Sequence, residues 1–199
     1  MDTTFSSLVP HLKFYLTKHH ELYSGKCKAE QWEEISASAL KAVGLGSDWK
    51  PDNNHEVGVD QTTDGGIRIS NKSGSLNKNL SKMTISGSRL TKYPTLKEKL
   101  EFLSNKNEDF IFCLATKDND DWENNKKVYY FIVVDSQRLN YHEAPWKDTL
   151  GVKGKKKGEI VGHNCAGNSF SAKIVKAMSD QLWTDIESTL FKEIHELII

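Results

Sequence analysis

At 199 residues the chain is long enough for one domain with a substantial core and short for two, and no linker-like stretch divides it. Apolar residues make up 37% and charged residues 27%, with 5 Trp spread along the chain, which excludes a disordered tail. The 27 basic and 27 acidic side chains cancel, so bulk charge neither requires nor forbids a polyanionic partner.

The N-terminus "MDTTFSSLVPHLKFYL" has an acidic second residue and no basic segment ahead of its apolar part. No signal peptide is expected, and cytoplasmic residence follows by default. Thr3 to Tyr23 carries helical spacing through Phe5, Leu8, Leu12, Tyr15 and Leu16, with Pro10 tolerated only in a first turn. Gly25 ends that unit. "KAEQWEEISASALKAVGLG" predicts a second helix with Trp32, Ile35, Ala39 and Val43 on one face and Gly44 as its stop. Two short strands follow, about Glu56 to Asp60 and Gly66 to Asn71, joined by an acidic, Gly-containing turn.

Further on, "KMTISGSRL" reads as a short strand and turn, and "TLKEKLEFLSN" as a helix begun by Thr95 and ended near Asn105. "DFIFCLATK" and "KVYYFIVVDS" read as buried strands around the acidic turn "DNDDWENN", being far shorter than the roughly 20 apolar residues of a membrane helix. No membrane partner is expected. "GEIVGH" reads as a last strand, "HNCAGNSFSAKI" as a polar loop, and "KIVKAMSDQLWTDIESTLFKEIHELII" as a helical tail. The three cysteines, Cys27, Cys113 and Cys165, fit no zinc spacing and read as reduced structural thiols.

The implied fold is α/β (α+β): a single domain with a central mixed β-sheet flanked by helices. It divides into a helical N-terminal part over 1–45, a core over 56–139, and a polar loop with C-terminal helices over 150–199. Charge is segregated along the chain. Between Arg68 and Lys99 the only acid is Glu98, and Lys153 to Lys157 holds four lysines in five positions. A neutral protein with such segments still offers a polyanion a positive face.

The chemistry gathers on the hairpin. Ser70 and Lys72, two apart on a strand, share a face, and Asp60 at the end of the preceding strand can reach it. A carboxylate to hold Mg²⁺, a second oxygen ligand and a lysine to orient or deprotonate water are what metal-assisted phosphodiester hydrolysis needs.

This pattern resembles the PD-(D/E)xK superfamily, to which many type II restriction endonucleases belong. There an Asp on one strand precedes an acid-x-Lys on the next by about ten positions. The resemblance makes Asp60 the first acid, puts Ser70 in the second acid's place, and makes Lys72 the lysine. The helix "WEEISASALKAVG" is similar to the Glu-bearing helix before the catalytic hairpin in such enzymes, with Glu33 in the Glu place; Glu34 lies on the watery side with Ser38 and Lys41. "FIFCLAT" and "VYYFIVVDSQRL" resemble the core strands that follow the active site.

One departure stands out, since serine is a neutral and weaker Mg²⁺ ligand. Either Glu33 or Asp64 completes the metal site, or catalysis has been lost and a non-catalytic DNA-binding module remains. The resemblance implies a Mg²⁺-dependent type II restriction endonuclease that cuts double-stranded DNA, with Asp60, Ser70 and Glu33 as metal ligands. It also implies a homodimer, formed through the N-terminal helices, and a cognate DNA methyltransferase in the same system. Residues expected to contact DNA are Asn71 and Ser73 beside the site, Arg89, Lys92 and Tyr93 after it, and Lys155 and Lys156 in the lysine run. His163, Asn164, Asn168, Ser169 and Lys173, around the late polar loop, complete the set.

Overall fold

The computed structural model describes residues 4–46, 58–117, 127–141, 145–147, 160–166 and 169–199. Helix α1 (Val9–Leu22) carries Pro10 in its first turn, where the missing N–H costs no hydrogen bond, and buries Leu12, Leu16 and His19. In α2 (Ala29–Ala42), Lys28 N donates to Gln31 Oε1 at 2.9 Å, and Trp32, Ile35, Ser36, Ala39 and Leu40 form the buried stripe. Both helices form where apolar spacing places them.

Strand β1 (Gln61–Thr62) and β2 (Arg68–Leu76) follow, paired antiparallel as Gln61↔Ile69. A hairpin forms here, but its first strand is Gln61–Thr62 and not the expected Glu56 to Asp60, whose described residues 58–60 are turn and bend, and β2 runs on to Leu76, so the Ser/Asn/Lys-rich segment is strand and not an exit. Strand β3 (Lys82–Arg89) returns antiparallel to β2, and Gly74 permits their close approach: a Cβ there would sit 2.8 Å from Thr84 O. Helix α3 (Leu96–Ser104) opens on the expected Thr95 cap, with Thr95 N donating to Glu98 Oε2 at 2.9 Å and Glu98 N to Thr95 Oγ1 at 3.2 Å. The chain then enters β4 (Phe110–Lys117), parallel to β2 from Ile69↔Phe110 to Leu76↔Lys117, and β5 (Val128–Asp135), antiparallel to β4.

The expected C-terminal helices are not there. In their place stand β6 (Ile160–Ala166), β7 (Phe170–Val175), β8 (Gln181–Glu187) and β9 (Phe191–Ile198). In β8 the buried residues are Leu182, Thr184 and Ile186, a period of two that only a strand satisfies. Ser179 and Asp180, both at positive φ, turn the chain back before it. The late "polar loop" is likewise corrected: His163 and Asn164 lie in β6, and Phe170, Ala172 and Ile174 point inward from β7, with polar residues between them.

The strands form one sheet in the order β6-β7-β8-β3-β2-β4-β5-β9, with β1 added to β2. It is a large mixed sheet flanked by helices, as the sequence implied. On one face α1 and α2 pack Leu12, Leu16, Trp32 and Ala39 against Ile69, Phe112, Leu114, Phe131 and Val133. On the other face Leu76, Ile85, Cys113 and Ile132 form a second cluster, and α3 brings Leu103 and Leu96 to Ile174 and Leu182. No helix among the described residues is long and apolar enough to cross a membrane.

Candidate active site

Asp60, Ser70 and Lys72 converge. Asp60 N donates to Ile69 O at 2.9 Å, which carries the hairpin pairing one residue past β1 and fixes the carboxylate beside β2. Its Oδ2 accepts from Asn71 N at 2.5 Å, Lys72 Nζ at 3.1 Å and Ser70 Oγ at 3.2 Å. The ammonium also donates to Asn71 O at 2.7 Å. Among the described residues, Asp60 Oδ1 receives no hydrogen bond. Ser70 is fully buried, while the side chains of Lys72 and Asp60 keep 20% and 24% of their exposure, enough for solvent or a small ligand to reach them.

Two further charges belong to this neighbourhood, and sequence reasoning missed both. After α3, Lys106 and Glu108 form a buried pair, Nζ to Oε1 3.6 Å, with side chains only 10% and 6% exposed. Burial pulls the Lys106 pKa down; Glu108 opposes that shift, Lys72 adds to it and Asp60 opposes it. Glu108 Oε2 is buried and has no hydrogen-bond partner among the described residues. It lies against Gly58, two residues before Asp60, where a Cβ would sit 2.5 Å from it and φ is +83°. A cavity of about 190 Å³ reaches this pair between Leu103, Ser136 and Tyr141. Burial pushes the Tyr141 phenol up to about 12, and its oxygen lies 3.1 Å from Thr184 Oγ1. Next to the pair, Arg68 grips Asp109 through Nη2 to Oδ1 at 2.9 Å and backbone N to Oδ2 at 2.8 Å, holding that carboxyl below its usual range.

Among the described residues, none of the other expected ligands makes a hydrogen bond or ion pair to Asp60, Ser70 or Lys72. Helix α2, which carries Glu33, packs on the face of β2 that bears Ile69, through Trp32 Nε1 to Phe112 O at 3.1 Å; Ser70 and Lys72 point to the opposite face. Ser36, one turn on from Glu33, receives Gln61 Nε2 at 2.7 Å. Asp64 is exposed and lies against Gly46 after α2, and Glu34 is exposed. Among the described residues no group of three or more His, Cys, Asp or Glu side chains gathers, so a cation near Asp60 would be held by few carboxylates and by neutral oxygens.

The DNA-contact expectations divide. Asn71 and Ser73 are corrected: they alternate with Ser70 and Lys72 and point under α2, where the Asn71 amide and Ser73 Oγ are buried without partners among the described residues. Asn164 is corrected for the same reason, being fully buried in β6 with its amide unpartnered among the described residues. Tyr93 stacks on Phe102 at 4.6 Å. His163 is half-buried, its backbone bridging Lys147, and Ser169 is half-buried in the turn before β7. Arg89, Lys92 and Lys173 are exposed, Arg89 Nε reaching Gln181 Oε1 at 3.4 Å. Lys155, Lys156, Asn168 and the acidic turn "DNDDWENN" lie outside the described residues. The Cys27 thiol is pushed up to about 12 by burial and Cys113 is raised likewise, which suits inert structural thiols.

Set against known proteins, the chain matches no family model and no curated protein sequence.

Proposed function

We propose that the protein is a Mg²⁺-dependent endonuclease with a PD-(D/E)xK, restriction-endonuclease-like core, acting on double-stranded DNA at a short sequence as type II restriction endonucleases do. The observation that carries this reading is the meeting of Asp60 and Lys72, twelve positions apart in the chain, at 3.1 Å beside the buried Ser70 hydroxyl. Bound Mg²⁺ would polarise the scissile phosphate and acidify water. Asp60 would hold the cation through Oδ1, while Ser70 Oγ, Asn71 N and Lys72 Nζ keep Oδ2 in place. Lys72, a fifth exposed, orients the attacking water and offsets charge on the phosphate. Exposed Arg89, Lys92 and Lys173 are suited to phosphates, and cutting both strands of a palindrome calls for a homodimer and a protecting methyltransferase.

A second reading is favoured by one feature: Asp60 Oδ2 already accepts three hydrogen bonds within the protein, as in a site that serves the fold. On that reading the protein is a non-catalytic DNA-binding module. Incubating wild type, Lys72→Ala and Asp60→Ala with phage DNA in Mg²⁺ or Ca²⁺ decides. Discrete fragments from wild type with Mg²⁺ alone support the nuclease; tight sequence-specific binding without cutting supports the module; absence of binding at low salt sinks both.

A further inference from the structure

We propose that Glu108 supplies the carboxylate that position 70 lacks, forming with Asp60 a divalent-cation site between the β1–β2 hairpin and the start of β4. The inference rests on the nuclease reading for the use made of the cation, though not for its binding.

Four observations lead to it. Glu108 is 5% exposed, and its Oε2 has no protein donor among the described residues. Its Oε1 is held only loosely, at 3.6 Å from Lys106 Nζ, longer than a normal N–H···O bond. Oε2 is aimed at Gly58, and the missing side chain there leaves the carboxylate open toward the segment that carries Asp60. Asp60 in turn has one oxygen fixed by three donors and the other without a hydrogen bond among the described residues.

The backbone brings the two acids together from opposite sides of β2. Asp60 N bonds to Ile69 O on one side, and Asp109 N to Arg68 O at 2.8 Å on the other. Lys106, the partner of Glu108, also feels the charges of Asp60 and Lys72, so the Glu108 pair stands beside the Asp60 cluster. One or two carboxylates completed by waters and substrate phosphate oxygens form the usual Mg²⁺ environment in phosphoryl-transfer sites. Asp60 and Glu108 are balanced by Lys72 and Lys106, so the cation adds net charge. It is accordingly held more tightly once a phosphate anion enters.

The probe is Mn²⁺, followed by loss of its free-ion EPR signal on titration into the full-length protein, alone and with a short DNA duplex. Wild type takes up Mn²⁺, more tightly with DNA, and Asp60→Asn and Glu108→Gln each weaken uptake by about tenfold or more. Ser70→Asp in the Glu108→Gln background restores part of the loss. A Glu108→Gln protein that binds Mn²⁺ as wild type does, while Asp60→Asn fails, overturns the proposal and leaves the nuclease reading intact. Loss of uptake in both variants of a protein that cuts no DNA supports the cation site and overturns the nuclease. Because Glu108→Gln leaves Lys106 buried with a neutral partner, NMR of the wild type gives a second reading: Mn²⁺ broadens the amide signals of Asp60 and Glu108 together. Broadening at Asp60 that spares Glu108 overturns the site.

Discussion

Lys72 Nζ lies 3.1 Å from Asp60 Oδ2, and the same nitrogen donates to Asn71 O at 2.7 Å, so the ammonium is held by two acceptors and points one face outward. On the proposed nuclease reading, Lys72→Ala should lose DNA cleavage by about 10²- to 10⁴-fold, the usual contribution of a positioned proton-transfer group. Stability should fall by about 1 kcal/mol or less, because the pair is partly exposed and screened. Lys72→Arg should not rescue cleavage, since a guanidinium neither deprotonates nor presents the same point charge. Cleavage rates and urea melts on the same preparations separate the two effects. Wild-type cutting by Lys72→Ala removes the lysine from the mechanism.

Ser70→Glu tests the register of the hairpin. Ser70 is fully buried with Oγ 3.2 Å from Asp60 Oδ2, so a carboxylate there meets a second negative charge in a tight space. Without divalent ion the variant should lose about 1–3 kcal/mol. Mg²⁺ should recover part of that loss and change the cleavage rate. A Tm that ignores both substitution and metal contradicts the placement of Ser70 at the site.

Much of this was legible in the chain. The pairing of Asp60 with Ser70 and Lys72 follows from period-two geometry and a short turn, and α2 and α3 follow from apolar spacing with their caps and stops. The C-terminal strands were hidden by composition. "KAMSDQLWTDIESTLFKEIHEL" holds several Glu, Leu and Lys, good helix formers, and the alternation of Leu182, Thr184 and Ile186 is easily lost among them. The Ser179–Asp180 left-handed turn, by contrast, has no glycine to announce it. Lys106 and Glu108 stand in "SNKNEDF", which reads as a solvated polar turn. Their burial depends on Gly58 and β2, about fifty and forty residues away in sequence, and no local pattern carries that information.

Trp32 fixes α2 over the sheet. Fully buried, it donates Nε1–H to Phe112 O at 3.1 Å and its ring lies 6.0 Å from that of Phe131. Trp32→Phe should cost about 1–2 kcal/mol, from the hydrogen bond and the lost contact, and Trp32→Ala about 3–5 kcal/mol through the cavity it opens. Urea denaturation followed by far-UV circular dichroism measures both. Equal costs for the two variants would show that packing at this position matters less than the hydrogen bond.

The stability of the fold should fall as pH drops below about 6.5, and His19 and His20 are the reason. Burial lowers the His19 pKa, with Lys127 adding to it; burial lowers that of His20 as well, opposed by the Tyr23 carbonyl and reinforced by Lys127 and His19. The His20 Nε2 lies 2.9 Å from Tyr129 Oη, and Nδ1 lies 3.0 Å from Tyr23 O and 3.2 Å from Lys127 Nζ, so a proton on Nδ1 can donate to the carbonyl but stands beside an ammonium. A depressed folded pKa means that the unfolded chain takes up a proton first. The contribution is therefore fully present above the unfolded value and is lost as pH falls through the folded one. Replacing both residues by Gln should flatten the slope of urea midpoint against pH between about 7.5 and 5, above the range where carboxylates such as Asp109 begin to titrate. An unchanged slope in the double variant would assign the acid sensitivity to other groups and remove this pair from the account.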